Sequence, residues 1–369
     1  MIKSDLLNFI FLDNVEIYEY LIVMKNYINK KFIVLEKKIL NKFKNSVKSD
    51  LSAKILINYI IYLYLKAEKL LFTKNYNPEK IILNDISYLY SLINDIHNFK
   101  EFSSGKFPRQ KFILEKNHKT LFQKLWVNYS FDEYKKERLS RYIKRIEINK
   151  IQGLIKNKKI VDFGCGHGNF LMSMIKFKPK ECIGIDYGKN SINYANRFRK
   201  KFYSKQKISF LIRSVYQSKL KKNYFDFAIQ NGVFHHLDNE DKAYVEVHRV
   251  LKSGGYFWLY TCGGGGIKDY VQKLSQKLLN NIDNNIIQNQ IRSIGLTTNK
   301  EYLLGDHLSA RYRYTDLSSI KVRLKKIGFK FVRQFKGGFK TDFDYPYSKE
   351  KYFRKKFGSG DLRLLFQKI

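Results

Sequence analysis

The sequence predicts an α/β fold: a mostly parallel sheet of seven strands covered on both faces by helices, closed by an antiparallel C-terminal hairpin and preceded by a helical extension. Three observations carry this. A short apolar strand, Lys159-Ile-Val-Asp-Phe163, runs into the turn Gly164-Cys-Gly-His-Gly168 and then into a helical pattern. Strand-like and helix-like segments alternate from there to Tyr260, as in a parallel sheet with both faces covered. The tail breaks the alternation with two strand-like runs, Phe329 to Phe335 and Leu362 to Gln367, and no evident helix in the loop 336–360 between them.

Ahead of the sheet, apolar residues such as Leu6, Ile10, Ile17, Leu21 and Ile28 recur by threes, fours and sevens from Asp5 to about Phe99, the period of amphipathic helices. Asp50 is expected to cap a helix before Leu51, and Pro78 to stand in a first turn. The segment Phe102-Ser-Ser-Gly-Lys-Phe-Pro108 has the composition of a linker. The expected division is a helical extension over 1–105 and an α/β domain over 106–369, with the extension packed on that domain or on a second subunit of an oligomer. The longest apolar run, Ile55 to Leu65, is bracketed by Lys54 and Lys66 and falls short of the ~20 residues that cross a bilayer. A buried helix is expected there, no membrane span is expected, and the opening residues lack the layout of a secretory signal.

Cys165, Cys182 and Cys262 are odd in number and form no CxxC pair. They suit a reducing, cytoplasmic setting and supply neither a disulfide framework nor a metal site. The net charge of +37 invites a polyanion partner. However, the lysines are scattered, and Lys, Asn, Ile, Tyr and Phe, whose codons need only A and T, are heavily used throughout. A nucleic-acid partner is therefore not favoured, although such a field would still draw in a small anionic substrate.

The remaining elements follow in order. Phe131 to Lys156 reads as a helix in which Tyr134, Arg138 and Tyr142, or Arg141 and Arg145, share a face that would cap a ligand pocket with an Arg toward a carboxylate. After the first strand come a helix from Asn169 to Phe177, a second strand from Glu181 to Asp186, a helix from Ser191 to Phe202, and strands at 208–213, 225–230 and 256–260. The glycines allow backbone to pass close beneath a nucleotide-like ligand, while the G-x-G-x-G spacing, with Asn169 in place of a further glycine, argues against NAD or FAD. Asp186, about 20 residues past the turn at a strand end, stands where an acid accepts both ribose hydroxyls. Asp162 is expected to brace the turn, to orient a ligand ammonium, or both.

Val161-Asp-Phe-Gly-Cys-Gly-His-Gly168, Gly184-Ile-Asp186, Phe225 to Leu237 and Arg249-Val-Leu-Lys-Ser-Gly-Gly-Tyr256 together resemble, in order and spacing, the successive motifs of class I S-adenosylmethionine-dependent methyltransferases. The resemblance spans Lys159 to Tyr260 and implies a Rossmann-like fold, a methyltransferase activity and S-adenosyl-L-methionine as cofactor. It also implies that Gly164, Cys165, Gly166 and Gly168 line the amino-acid and ribose part of the cofactor, that Asp186 holds the ribose, that Tyr187 lies against the adenine, and that Asn231 and Gly232 face the methionine. One position departs from the family: Ser214 stands near where many members carry an Asp toward the adenine amino group.

Methyl transfer from a sulfonium asks mainly for positioning and exclusion of water, and for a base only when the acceptor must lose a proton. His235 and His236 are the candidate bases, and as neighbours they are expected to point apart, so that one would be structural. Beyond Tyr260, the run Gly263 to Gly266 is expected to hinge a lid, and a helical insertion near 267–313 leads to Asp306, His307, Arg311 and Arg313. With Tyr260 these would bind the acceptor, the Arg pair favouring a phosphate or carboxylate. The reading is a methyltransferase for a small-molecule substrate, anionic or sugar-like. The alternatives are an RNA methyltransferase using the basic N-terminal arm and a non-catalytic scaffold that binds the cofactor.

Overall fold

The structure, a computed structural model, describes residues 30–43, 49–99, 130–280, 282–339, 342 and 349–369. The expected linker at 102–108, the boundary at 105 and the pattern before residue 30 lie outside them. Seven strands form one sheet: β1 (Lys159–Phe163), β2 (Glu181–Asp186), β3 (Ile208–Ile212), β4 (Phe225–Asn231), β5 (Leu251–Cys262), β6 (Phe329–Gln334) and β7 (Asp361–Lys368). Their order is β3-β2-β1-β4-β5-β7-β6. The first five are parallel, and β7 lies antiparallel between β5 and β6. This is the Rossmann-like sheet with an antiparallel C-terminal pair. The strand order reverses between β1 and β4, the position where open α/β sheets bind ligands beyond the carboxyl ends of their strands.

β1 shows why the sheet needs cover on both faces. Ile160 joins the apolar cluster on one side, Val161 and Phe163 that on the other, and all three are fully buried. The first face is covered by the run 131–148 (α4) with α5 (Asn169–Met174) and α6 (Lys189–Phe202), the second by α7 (Glu240–Val250) and α11 (Leu317–Ile327). β5 begins five residues earlier than expected. Leu251 pairs with Phe225 and Tyr256 with Phe227, so the Ser253-Gly254-Gly255 stretch is taken up as a bulge, with Gly254 at φ 73°.

A third cluster is wholly helical. α1 (Lys30–Phe43), α2 (Asp50–Phe72) and α3 (Glu79–Asn98) pack against α8 (Ile267–Leu279), α9 (Asn284–Ser293) and α10 (Thr298–Ser309). The N-terminal helices thus rest on the insertion of their own chain. The run from Ile55 to Leu65 is a buried part of α2, and among the described residues no helix is long and apolar enough to cross a membrane. Two cap expectations shift by one residue. Ser49, not Asp50, caps α2 through a capping box with Ser52, and Pro78 is the N-cap of α3.

Two further expectations are corrected. The loop before β7 does hold a helix, the single turn α12 (Phe353–Phe357), whose Phe353 and Phe357 join the helical cluster. The run Gly263 to Gly266 is buried rather than a loose hinge: a side chain at Gly263 would begin 2.3 Å from the Gly360 carbonyl, and one at Gly264 would begin 2.4 Å from Tyr314.

Candidate functional site

The glycine turn is fastened to the end of β2. Gly164 and Cys165 donate their N–H groups to the Ile185 carbonyl at 2.8 and 3.0 Å, and Gly166 donates to Asp186 Oδ2 at 2.9 Å. Gly188 donates to Asp186 Oδ1 at 2.7 Å. Gly164, Gly166 and Gly168 all have positive φ, from 52° to 77°. At Gly166 nothing lies within 4 Å of where a side chain would begin, so bare backbone faces the cavity. Gly168 differs from its expected role: it is the N-cap of α5, a side chain there would begin 2.5 Å from the Phe210 ring, and it is not part of the cavity wall.

That cavity, about 480 Å³, is walled by ten of the predicted residues outside the acceptor set: Asp162, Gly164, Cys165, Gly166, Asp186, Tyr187, Ser214, Asn231, Gly232 and His236. Asp162 is 2% exposed and its Oδ1 has no hydrogen-bond partner among the described residues. It does not brace the turn, whose N–H groups go to Ile185 and Asp186 instead. Burial first, then the charge of Asp186, pushes its carboxyl well above the usual range. A buried carboxylate in that state suits a cationic ligand group. Burial also raises Asp186, against the pull of the Gly188 and Gly166 N–H groups. Tyr187 is 59% exposed at the rim, and Ser214 Oγ accepts the Tyr216 N–H at 3.2 Å.

Above this cavity runs α4, built of Phe131–Glu133, a π-helical turn over Tyr134–Leu139, and Ser140–Ile148. The π turn shifts the helical register, so Tyr134 is buried with its hydroxyl donating to the His167 carbonyl at 2.6 Å, while Arg138 and Tyr142 reach the cavity. The Tyr142 ring stacks on Phe170 at 4.9 Å.

A second cavity of about 660 Å³ adjoins the first, and Arg138, Tyr142, Asn231, Gly232, His236 and Asp306 belong to both walls. Its far side is built by α2, α8 and α10 together with α4 and the tail. The histidines do not point apart as expected. Phe234–His236 is a 3-10 turn, not a strand, and both rings line the second cavity with centroids 4.2 Å apart. His236 Nδ1 donates to the Arg311 carbonyl at 2.5 Å, which places the neutral ring's acceptor lone pair on Nε2. His235 stacks on Tyr312 at 5.2 Å, with Nε2 3.8 Å from Cys262 Sγ.

Of the predicted acceptor residues, Tyr260, Asp306 and His307 line the second cavity. Tyr260 donates to Asp361 Oδ1 at 3.4 Å, and His307 Nδ1 is hydrogen-bonded to the Tyr64 hydroxyl of α2. Asp306 Oδ1 is buried without a partner among the described residues. Burial, opposed by the Tyr312 hydroxyl, pushes its carboxyl up to about 6. Arg311 and Arg313 line neither cavity. Residues 311–314 alternate, and the tyrosines take the inner side: Tyr312 and Tyr314 are buried, while Arg311 approaches Asp238 at 3.7 Å. Sequence reasoning also missed Arg363, Lys268, Gln272 and Asp342 on this wall. Asp342 accepts from Arg141 and Arg145 some two hundred residues earlier in the chain, a pairing with no local signal.

Residues 154–304 match the sequence profile of a family described as Methyltransferase domain. This part of the chain is similar to a methyltransferase domain. Over 110 residues the chain is 32% identical to a sterol 24-C-methyltransferase of Aspergillus fumigatus, covering 29% of each chain. It is 26% identical over 147 residues to a fatty-acid O-methyltransferase of Mycolicibacterium smegmatis, covering 37% of this chain and 52% of the relative. The chain thus spans about a third to a half of the length of these curated relatives. A solved S-adenosylmethionine-dependent methyltransferase from Mesorhizobium loti aligns at TM-score 0.41 and 15% identity, over 61% of this chain and 98% of its own.

S-adenosylmethionine is the expected cofactor of the methyltransferase domain, and the residues fit it. The bare backbone at Gly166 gives a flat group room, the Asp186 oxygens retain lone pairs for hydroxyl donors, and the unpartnered Asp162 oxygen faces a place for a cation.

Proposed function

We propose that this chain transfers the methyl group of S-adenosylmethionine to a small molecule seated in the second cavity. The observation that carries this is the shared wall: two cavities meet at Asn231, Gly232, His236 and Asp306, so that donor and acceptor sites open onto one point. Bound there, the cofactor supplies an electrophilic methyl on a good leaving group. Asp162 holds the cofactor's positive charge, Asp186 its ribose, Tyr187 and Ser214 its adenine, and Asn231 with Gly232 the methionine end. Tyr260, Asp306 and His307 face the acceptor. Where the acceptor must lose a proton, His236 Nε2 takes it, with Nδ1–H held by the Arg311 carbonyl and His235 packed beside it.

The sterol and fatty-acid methyltransferases among the relatives support a small-molecule acceptor, and the arginines of the second cavity favour one that is anionic over one that is sugar-like. A cytoplasmic location is the reading that the unpaired cysteines support. In its described part, the N-terminal arm that an RNA methyltransferase reading would use packs its apolar residues against α8, α9 and α10 of the same chain.

The test is incubation of the purified chain with methyl-labelled S-adenosylmethionine and a cell extract, fractionated with and without ribonuclease. Label is expected in small metabolites. Label confined to nuclease-sensitive material would overturn the small-molecule acceptor, and cofactor binding without any labelled product would leave a scaffold.

A further inference from the structure

We infer that Tyr64 of the N-terminal helix α2 fixes the tautomer of His307, whose Nε2–H then meets a carbonyl-type oxygen of the acceptor in the second cavity. The inference rests on the methyl-transfer reading and narrows its substrate class: the acceptor presents an oxygen lone pair to His307, not an ammonium.

His307 is held from two sides. It stands in the last turn of α10, where its carbonyl and that of Ala310 accept from Gln276 Nε2 of α8 at 2.7 and 2.6 Å. Its Nδ1 is hydrogen-bonded to the Tyr64 hydroxyl, which reaches it from α2, 243 residues earlier in the chain. Tyr64 is buried, and both residues line the second cavity beside Ala67, Glu68 and Leu71 of α2. The N-terminal extension therefore builds part of the acceptor wall.

The direction of the bond between Tyr64 and His307 follows from what each group can give. Burial first, then the charges of Glu68 and Asp306, pushes the Tyr64 pKa up, so the phenol keeps its proton. Among the described residues that proton has no acceptor other than His307 Nδ1, and a buried hydroxyl that accepted there instead would leave its own proton unpaired. Burial first, then the charges of Lys268 and Lys300, pushes the His307 pKa down, so the ring is neutral and carries one proton. With Nδ1 taken as an acceptor, that proton sits on Nε2, which has no hydrogen-bond partner among the described residues.

His236 has the opposite tautomer, because a carbonyl can only accept from its Nδ1. The two rings therefore differ in function: His236 Nε2 is the side that can take a proton, while His307 Nε2 donates a hydrogen bond. Both pack against the Tyr312 ring, with centroids 4.5 and 6.0 Å away, so the oxygen that meets His307 belongs to the same end of the acceptor as the atom to be methylated. A carbonyl-type oxygen satisfies the donor, whereas an ammonium, which has donors only, would leave both groups unpaired.

The test has two arms. In the full chain carrying isotope-labelled histidine, proton–nitrogen NMR correlations read the ring tautomer directly, and His307→Gln identifies the His307 signal among the 7 histidines. The wild-type ring is expected with its proton on Nε2, and Tyr64→Phe to mix the two tautomers. A proton on Nδ1 in the wild type, or a folded Tyr64→Phe chain with an unchanged ring signal, overturns the inference. The second arm is transfer of labelled methyl from S-adenosylmethionine into the small-metabolite fraction of a cell extract. His307→Asn, whose amide can meet Tyr64 but reaches no further, is expected to cut transfer about tenfold at limiting extract, with S-adenosylmethionine affinity kept. His307→Gln, whose amide nitrogen lies about where Nε2 does, is expected to cut it roughly threefold less. The labelled product is expected to hold a carbonyl-type oxygen by tandem mass spectrometry. Equal losses in the two variants, or a product without such an oxygen, overturn the donor role. Absence of transfer by the wild type sinks the methyl-transfer reading and the acceptor oxygen with it, while the tautomer stands or falls by its own spectrum.

Discussion

Asn231 donates its Nδ2 to the Tyr142 hydroxyl at 3.3 Å, joining the end of β4 to α4 across the wall that both cavities share. Asn231 Oδ1 in turn accepts from Trp258 Nε1 at 3.3 Å, so the amide orientation is set by the core and passed to the tyrosine. The pair therefore places α4 over the junction.

Tyr142→Phe removes that link while keeping the ring on Phe170. A single neutral hydrogen bond is worth about 1 kcal/mol net, so stability is expected to change little. Methyl transfer is expected to fall about tenfold through misplacement of the shared wall. Turnover measured with thermal unfolding checks this, and wild-type turnover would show that the contact does not position α4.

Asp162→Asn separates two roles for the buried carboxylate. If Asp162 holds the ammonium, affinity falls for S-adenosylmethionine and S-adenosylhomocysteine alike, since both carry it. We expect losses of tenfold or more for both. Because burial and Asp186 raise the Asp162 pKa and a bound cation lowers it, wild-type affinity is expected to rise with pH, and that slope to vanish in the variant. Calorimetry with both ligands across pH decides it.

Gly166→Ala and Gly168→Ala are expected to fail differently, although both residues have positive φ. At Gly166 the added methyl meets open space, so the stability loss is limited to backbone strain of roughly 1–2 kcal/mol, while the methyl intrudes on the ligand and weakens cofactor binding. At Gly168 it meets Phe210, adding an overpacking cost of about 1–3 kcal/mol, with cofactor affinity largely kept in the folded fraction. Unfolding and ligand titrations on both variants would show whether the two effects separate.

The contrast between those glycines marks what was legible in the sequence. β1 and β2 are legible to the residue because apolar runs end in glycine or acid at the sheet's edge, and Asp186 follows the turn at the spacing a nucleotide cradle demands. Which glycine touches ligand and which touches Phe210 depends on β3, so it is not local. Likewise the inward side of Arg311-Tyr-Arg-Tyr314 is chosen by the surrounding pocket, which takes the rings, and the π turn in α4 leaves no mark in composition. Asp342 gains its meaning only from arginines on α4 and β7. Tertiary partners of charged residues were the part hidden from sequence.

Asp306 offers a pH test that needs no ligand. Its carboxyl is pushed up to about 6 by burial, against an unfolded value near 4. Below about pH 4 both states hold the proton, and Asp306 contributes nothing. Between about 4 and 6 the unfolded chain gives up its proton while the folded chain keeps it, so stability falls as pH rises, and above about 6 the deficit is constant at roughly 3 kcal/mol. Asp306→Asn removes this titration while keeping an oxygen for the Tyr312 hydroxyl. The variant's stability gain over wild type, measured by urea unfolding at pH 4.5, 5.5 and 7, is expected to grow between the first two values and level off after the last. A gain that is flat across that range would show that Asp306 is not held protonated by burial.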